Sequence, residues 1–260
     1  MGDPQSSRTE EQDLISIPNR MGAYPVLSDR CLERLSAIRA MNRQAARPKG
    51  FVLFAEGQEV RGVYVLWDGR VKLSIGSDNG KSFILGLVGR GTVLGLPSAI
   101  LGLPHAATAE VVKSARVSFL GRYDLLQYLH RTDGATYHAA EMVSAIYYST
   151  LAEIKMVHLS QSADQKLARF LLGLCPISKG SNGQAQVTLE SSQEEIGQMI
   201  GVARETVARV LSRFKKRRII ELKNRTLVIQ NRAALERLAN IREEAAGRNL
   251  KSRFSRQKTP

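Results

Sequence analysis

Cysteine is scarce in this chain of 260 residues, which carries only two, Cys31 and Cys175. They lie far apart and form no CxxC pair, so neither a disulfide framework nor a thiolate metal cage is expected. Histidine is scarce too, with four in all. His105, His130, His138 and His158 show no i,i+4 pairing and no cysteine at metal-ligand spacing, which argues against a metal site. Long apolar runs are missing, since none approaches the roughly 18 residues that a membrane span needs. The opening stretch, Met1 to Asn19, is polar and acidic, without the basic start and apolar segment of a secretory signal. A cytoplasmic protein without membrane contact is expected. The sequence also lacks a nucleophile–base pair, a metal set and paired carboxylates in a plausible cleft, so an enzyme is not expected.

What the chain has in excess is positive charge. The formal net charge is +14, and from Gly201 to Pro260 there are 17 Lys and Arg against 5 Asp and Glu. Nearly the whole excess therefore sits in the last quarter. Confinement of a basic patch to one module marks a polyanion-binding surface. Anionic lipid is the other natural polyanion, and a bare basic tail is often only a solvated run. The motif within this quarter favours nucleic acid.

Hydrophobic texture divides the chain. Residues 1–25 read as a polar extension. A short helical pattern follows, with Ser28 as N-cap and Leu32, Leu35 and Ile38 on one face. From Pro48 to about Leu120 short apolar runs alternate with glycine-centred turns, among them Val63 to Trp67, Val71 to Ile75, Phe83 to Leu85, and Val117 to Leu120. That spacing predicts an antiparallel barrel or sandwich. Asn79-Gly80 between two runs is a hairpin signal. Gly76 to Ser82 superficially matches a phosphate-binding loop, but it is one residue short between its glycines and joins two strands.

Tyr123 to His158 reads as helix. Val143, Tyr147, Thr150, Ile154 and Val157 recur at alternating four- and three-residue steps, the pattern of a coiled-coil seam. Met142, Ile146 and Leu151 widen the stripe, so the helix can also lie on the barrel. A single amphipathic helix packed on its own domain is the alternative; a dimer seam accounts better for both flanks of the stripe. Leu159 to Ser162 forms a polar break, and Asp164 is placed to cap a helix starting near Gln165. Ser178 to Gly183 reads as a surface loop and Gln186 to Leu189 as a short strand.

Next comes the segment that carries chemistry. Ser192-Gln193-Glu194-Glu195 fits a capping box. An amphipathic helix runs to Ile200, Gly201 supplies a tight turn, and a second helix spans about Ala203 to Lys216. Val207, Val210, Leu211 and Phe214 point inward; Arg204, Glu205 and Arg209 point outward from its first half. Helix, glycine turn and charged second helix make a helix-turn-helix. Arginine can grip the O6/N7 edge of guanine, and glutamate can accept from the cytosine amino group. Ser192, Gln193, Thr206, Lys215, Lys216 and Arg217 are candidates for phosphate contact, which sets register rather than sequence. Ile219 to Leu222 and Thr226 to Ile229, joined by Lys223-Asn224-Arg225, form a hairpin wing.

The run Glu195 to Arg209 (EIGQMIGVARETVAR) resembles the helix-turn-helix of the Crp–Fnr family of bacterial transcription regulators. Gly57, Gly69, Gly91 and Gly95, with Val63-Tyr64-Val65-Leu66 and Gly69 to Leu73, resemble that family's cyclic-nucleotide-binding-type β-roll. The resemblance spans roughly residues 45–230. It implies an α+β chain: an N-terminal antiparallel β-roll, a long dimerisation helix and a C-terminal winged helix-turn-helix. The divisions expected are an extension at 1–25, β-roll at 26–133, dimerisation helix at 134–158, hinge at 159–164, DNA-binding domain at 165–245 and basic tail at 246–260. The implied partners are double-stranded DNA, a second copy of the chain and RNA polymerase.

Sensing residues distinguish the branches of this family. Its cyclic-AMP receptors carry a glutamate just after the glycine matching Gly95 and an Arg-Ser pair about ten residues on. Here Leu96 and Ala106-Ala107 stand at those places, so Gly95, Leu96, Ala106 and Ala107 mark a degenerate effector pocket. Cyclic AMP is not the expected effector, and a regulator responsive to a cyclic nucleotide or another small molecule through an altered pocket is the alternative. A nucleotide-binding module without DNA binding is disfavoured by the helix-turn-helix. The iron–sulfur branch needs four cysteines, twice what this chain has. His105 and Arg90 lie near the expected pocket and read as surface polar residues.

Overall fold

A computed structural model describes residues 15–16, 24–27, 44–76, 82–159, 162–174, 185–189 and 191–239. The chain divides into two compact units, Met1–Lys155 and Met156–Pro260. Ser28, Leu32, Leu35, Ile38, both cysteines, Asn79-Gly80 and the loop at Ser178 to Gly183 lie outside the described residues.

In the first unit, β1 (Ile15–Ser16) pairs with β2 (Val26–Leu27). The main sheet has the order β3 (Ala45–Arg47), β8 (Thr108–Gly121), β5 (Gly62–Gly76), β6 (Ser82–Val88), all antiparallel neighbours. Two short strands attach to it, β4 (Val52–Phe54) on β8 and β7 (Val93–Leu94) on β5. Val63 to Trp67 and Val71 to Ile75, which the sequence separates at Gly69, belong to one strand of 15 residues. Gly69 is a bulge rather than a turn: its φ is +93°, and a side chain there would strike the Ser114 carbonyl and Ala115 across the ladder. Likewise the runs from Val111 to Leu120 form a single strand. The β5–β6 ladder closes at Gly76 opposite Ser82, so the two strands form a hairpin.

Strand β5 is buried on both faces, which explains its nearly continuous apolar sequence. Leu66, Val71 and Leu73 join Leu53, Phe54 and Val117 in a core inside the roll. Val63, Val65 and Trp67 alternate to the other face and join a second core with helical residues. Trp67 Nε1–H donates to Ser118 Oγ at 2.9 Å, so its buried donor is satisfied.

The stretch read as one helix from Tyr123 is two, α2 (Arg122–Arg131) and α3 (Ala135–Leu159). Gly134 at φ +77° makes the break. A short α1 (Leu96–Leu101), which the sequence did not signal, precedes β8 and carries Pro97 in its first turn. Arg122 Nε donates to the Ala99 carbonyl at 2.8 Å and ties α1 to α2.

The second unit takes in the end of α3 and continues with α4 (Ala163–Leu174). Its start is capped by Ser162, whose Oγ accepts from the Gln165 amide at 3.2 Å, not by Asp164. Asp164 lies inside the first turn and pairs instead with Arg213 at 2.9 Å. Then follow β9 (Ala185–Thr188), α5 (Gln193–Ile200), α6 (Arg204–Lys216), β10 (Ile220–Lys223), β11 (Thr226–Ile229) and α7 (Arg232–Leu238). The three strands form one antiparallel sheet in the order β10, β11, β9.

Candidate nucleic-acid interface

Local chemistry builds the α5–α6 pair. Ser192 Oγ accepts from the Glu195 amide at 3.2 Å, and Glu195 Oε2 accepts from the Ser192 amide at 2.7 Å, a complete capping box. Gly201, at φ +66°, ends α5 in the left-handed region. Gly197 permits the close approach of the turn, since a Cβ there would lie 2.6 Å from the Val202 carbonyl oxygen. Val207, Val210, Leu211 and Phe214 of α6 are buried against the rest of the unit. Each such burial contributes roughly 1.5–3 kcal/mol, enough together to fix the roll of α6 about its axis.

With that face inward, Arg204, Glu205 and Arg209 are exposed on the first half of α6. The Arg209 guanidinium donates Nη2–H to Thr206 Oγ1 at 3.2 Å, so Thr206 steadies a side chain that reads as a base contact. Ser192 and Gln193 are exposed at the start of α5, while Lys215, Lys216 and Arg217 are exposed at the end of α6. Arg213 contributes differently: its pairing with Asp164 joins α6 to α4. Nothing local in the sequence marks a partner some fifty positions away.

The wing closes on a turn at Asn224-Arg225, with Lys223 opposite Thr226 inside the ladder. Asn224 takes φ +54°, a conformation asparagine tolerates. Lys223 Nζ lies 2.9 Å from Glu221 Oε1. The hydrogen bond and charge of Lys223, together with a bond from Gln230, hold the Glu221 carboxyl below the usual carboxylate range. The Lys223 ammonium is correspondingly pushed up.

The other candidate residues, Val157 apart, lie in the first unit. On α3, Tyr147, Thr150 and Ile154 are exposed, whereas Val143 packs partly into the core between roll and helices. Val157 lies outside the residues whose side chains are described. Of the residues expected at the effector pocket, Gly95 lies beside His105. Leu96 is buried in the helix-side core and Ala106 is exposed. The surface reading of His105 is corrected: its residue is 4% exposed. Its ring stacks on Phe54 beside Gly95, and its backbone pairs with Gln58 and Gly57. Burial holds its imidazole below the ordinary pKa. Its flanks gave no signal of this, since Leu103, Pro104 and Ala106 are exposed. Arg90 is exposed.

Among the described residues no group of three or more His, Cys, Asp or Glu could hold a metal ion, and no helix is long and apolar enough to cross a membrane.

Residues 165–238 match the Crp-like helix-turn-helix domain, and residues 46–132 match the cyclic nucleotide-binding domain. The chain is similar to the fumarate and nitrate reduction regulatory protein of Vibrio cholerae, 26% identical over 223 residues, covering 84% of this chain and 86% of that protein. It is also 26% identical over 211 residues to the CRP-like cAMP-activated global transcriptional regulator of Mycobacterium tuberculosis, covering 78% of this chain and 92% of the relative. In fold it is similar to FixK2 from Bradyrhizobium japonicum, with a TM-score of 0.65 at 22% identity, covering 76% of this chain and 96% of that one.

Proposed function

We propose, for a chain that belongs to the Crp–Fnr family of bacterial transcription regulators, that it acts as a homodimer on a palindromic operator and does so without cyclic AMP. It is a DNA-binding transcription regulator, as its relatives are, and not an enzyme. The observation that carries the proposal is the exposed set Arg204, Glu205 and Arg209 on one face of a helix whose opposite face is locked into the core. In this reading those three touch bases, and Ser192, Gln193, Thr206, Lys215, Lys216 and Arg217 touch phosphates. Residues 165–245 form the DNA-binding domain, 26–133 the β-roll domain and 134–158 the dimerisation helix, with a hinge at 159–164.

Exposure of Tyr147, Thr150 and Ile154 supports a seam with a second copy, because large apolar side chains on a long helix favour burial. Two half-sites then add their contacts, which a single helix-turn-helix cannot match in tight specific binding. RNA polymerase is the further partner proposed, and the cytoplasm the place of action.

Independence from cyclic AMP is supported by the region beside Gly95. A cyclic nucleotide there would find no arginine for its phosphate and no glutamate for its ribose hydroxyl, the two groups that the family's cyclic-AMP receptors supply, and backbone amides alone would have to offset the desolvation of the anion. The His105 and Phe54 rings fill the adjacent space, with centroids 3.8 Å apart. A gel shift with a palindromic operator, with and without cyclic AMP, tests this. Equal retardation in both is expected; retardation that requires cyclic AMP would overturn the reading.

A further inference from the structure

The first unit holds a cavity that DNA binding does not use. It measures about 80 Å³ and lies between the outer face of the roll and helices α2 and α3. Val63 and Val65 of β5, with Val93 and Leu120, form its sheet wall. Opposite them stand Ala135, Ala139 and Met142 of α3, with Leu125 and Leu129 of α2 at the side. The space follows from the choice of side chains. Helix α3 turns two alanines, four positions apart and so on one face, toward a wall built of valines. Both alanines are buried, at 6% and 7% exposed, so the surrounding core closes around the gap without filling it.

The mouth differs in kind. Tyr128, Thr132, Asp133 and His138 line it, and Thr132 and Asp133 are exposed. His138 Nδ1 lies 3.2 Å from Glu141 Oε2, which steadies the imidazole at the rim. One carboxylate, Asp133, lines the opening, and a second, Glu141, stands behind His138. They offer acceptors to a hydroxyl or an amine and repel an anion.

We propose that this cavity is a binding site for a small molecule with an apolar body and a hydrogen-bond-donating end that carries no negative charge. An apolar cavity of roughly 150 Å³ takes up benzene, with its six carbons, so a space of about half that size that opens at one end suits a chain of about three carbons. The site is separate from the roll interior, where His105 and Phe54 stack; Leu96 turns the other way and lines the cavity.

Trp67 is the only tryptophan and belongs to the same apolar cluster, so its emission reports occupancy. The test titrates the full-length protein, without DNA, with propan-1-ol and with propanoate, read by tryptophan fluorescence and calorimetry. Propan-1-ol saturates, and propanoate binds on the order of tenfold more weakly because its charge meets Asp133 at the rim. Ala139→Leu fills the cavity and abolishes propan-1-ol binding while the unfolding transition stays cooperative. Should that variant not fold, Leu129→Ala decides: by removing three carbons from the wall, it gains saturable binding of pentan-1-ol that the parent lacks. Non-saturating propan-1-ol, equal binding of propanoate, or indifference to both substitutions would overturn the proposal. None of these readouts involves DNA, so their failure leaves the operator-binding account untouched.

Discussion

The His105 imidazole lies on the Phe54 ring with centroids 3.8 Å apart and planes 12° from parallel. Its Cε1 stands 2.9 Å from where a side chain on Gly95 would begin. The stack thus exists because residue 95 has none. It also gives the roll a pH dependence. Burial lowers the folded pKa of His105 below its ordinary 6.5, so the unfolded chain binds the proton first as pH falls. The stability that depends on a neutral ring is complete above pH 6.5 and is lost progressively as pH drops from there toward the lowered folded value. His105→Phe keeps the stack and removes the titration. Urea unfolding of the first unit on both sides of pH 6.5 should show a drop in the parent that is smaller in the variant. Identical pH profiles would contradict this.

Gly197 governs the other unit. A methyl group there would sit 2.6 Å from the Val202 carbonyl oxygen, and every near neighbour is backbone of the turn from Val202 to Arg204, which leaves little room to move. Gly197→Ala should cost roughly 1–3 kcal/mol of stability and splay α5 from α6. Thermal unfolding and a gel shift, measured together, check it: both should weaken, and an unchanged midpoint would refute the crowding argument.

Local signals in the sequence were read well, and distant ones were not. Capping at Ser192, the turn at Gly201 and the inward set from Val207 to Phe214 are written within a few residues of each other, and all are present in the structure. The continuity of β5 is hidden in sequence because Gly69 looks the same in a turn and in a bulge; only the opposing Ala115 tells them apart. The position of Asp164 suits a cap, but its partner, Arg213, comes from another helix. The burial of His105 is not legible locally, because a histidine carries no mark of burial until Phe54 is brought against it.

Assembly is testable on α3. Ile154 is 50% exposed, and Tyr147 60%. Ile154→Glu places a charge in the proposed seam and should shift analytical ultracentrifugation at micromolar concentration from dimer toward monomer, with an unchanged helical signal. A variant that stays fully dimeric would place the interface elsewhere.

The central claim is that α6 reads bases through Arg204, Glu205 and Arg209. A randomised-site selection with the parent and with Arg209→Ala tests it most directly. The parent should recover a two-fold symmetric site whose half-sites lie about one helical turn apart, ~34 Å. The variant should lose about 1–3 kcal/mol and relax its preference at one base pair in each half-site. Lys216→Ala, run alongside, should weaken all sequences evenly and flatten the salt dependence. Recovery of the same site with undiminished preference by Arg209→Ala would contradict the account.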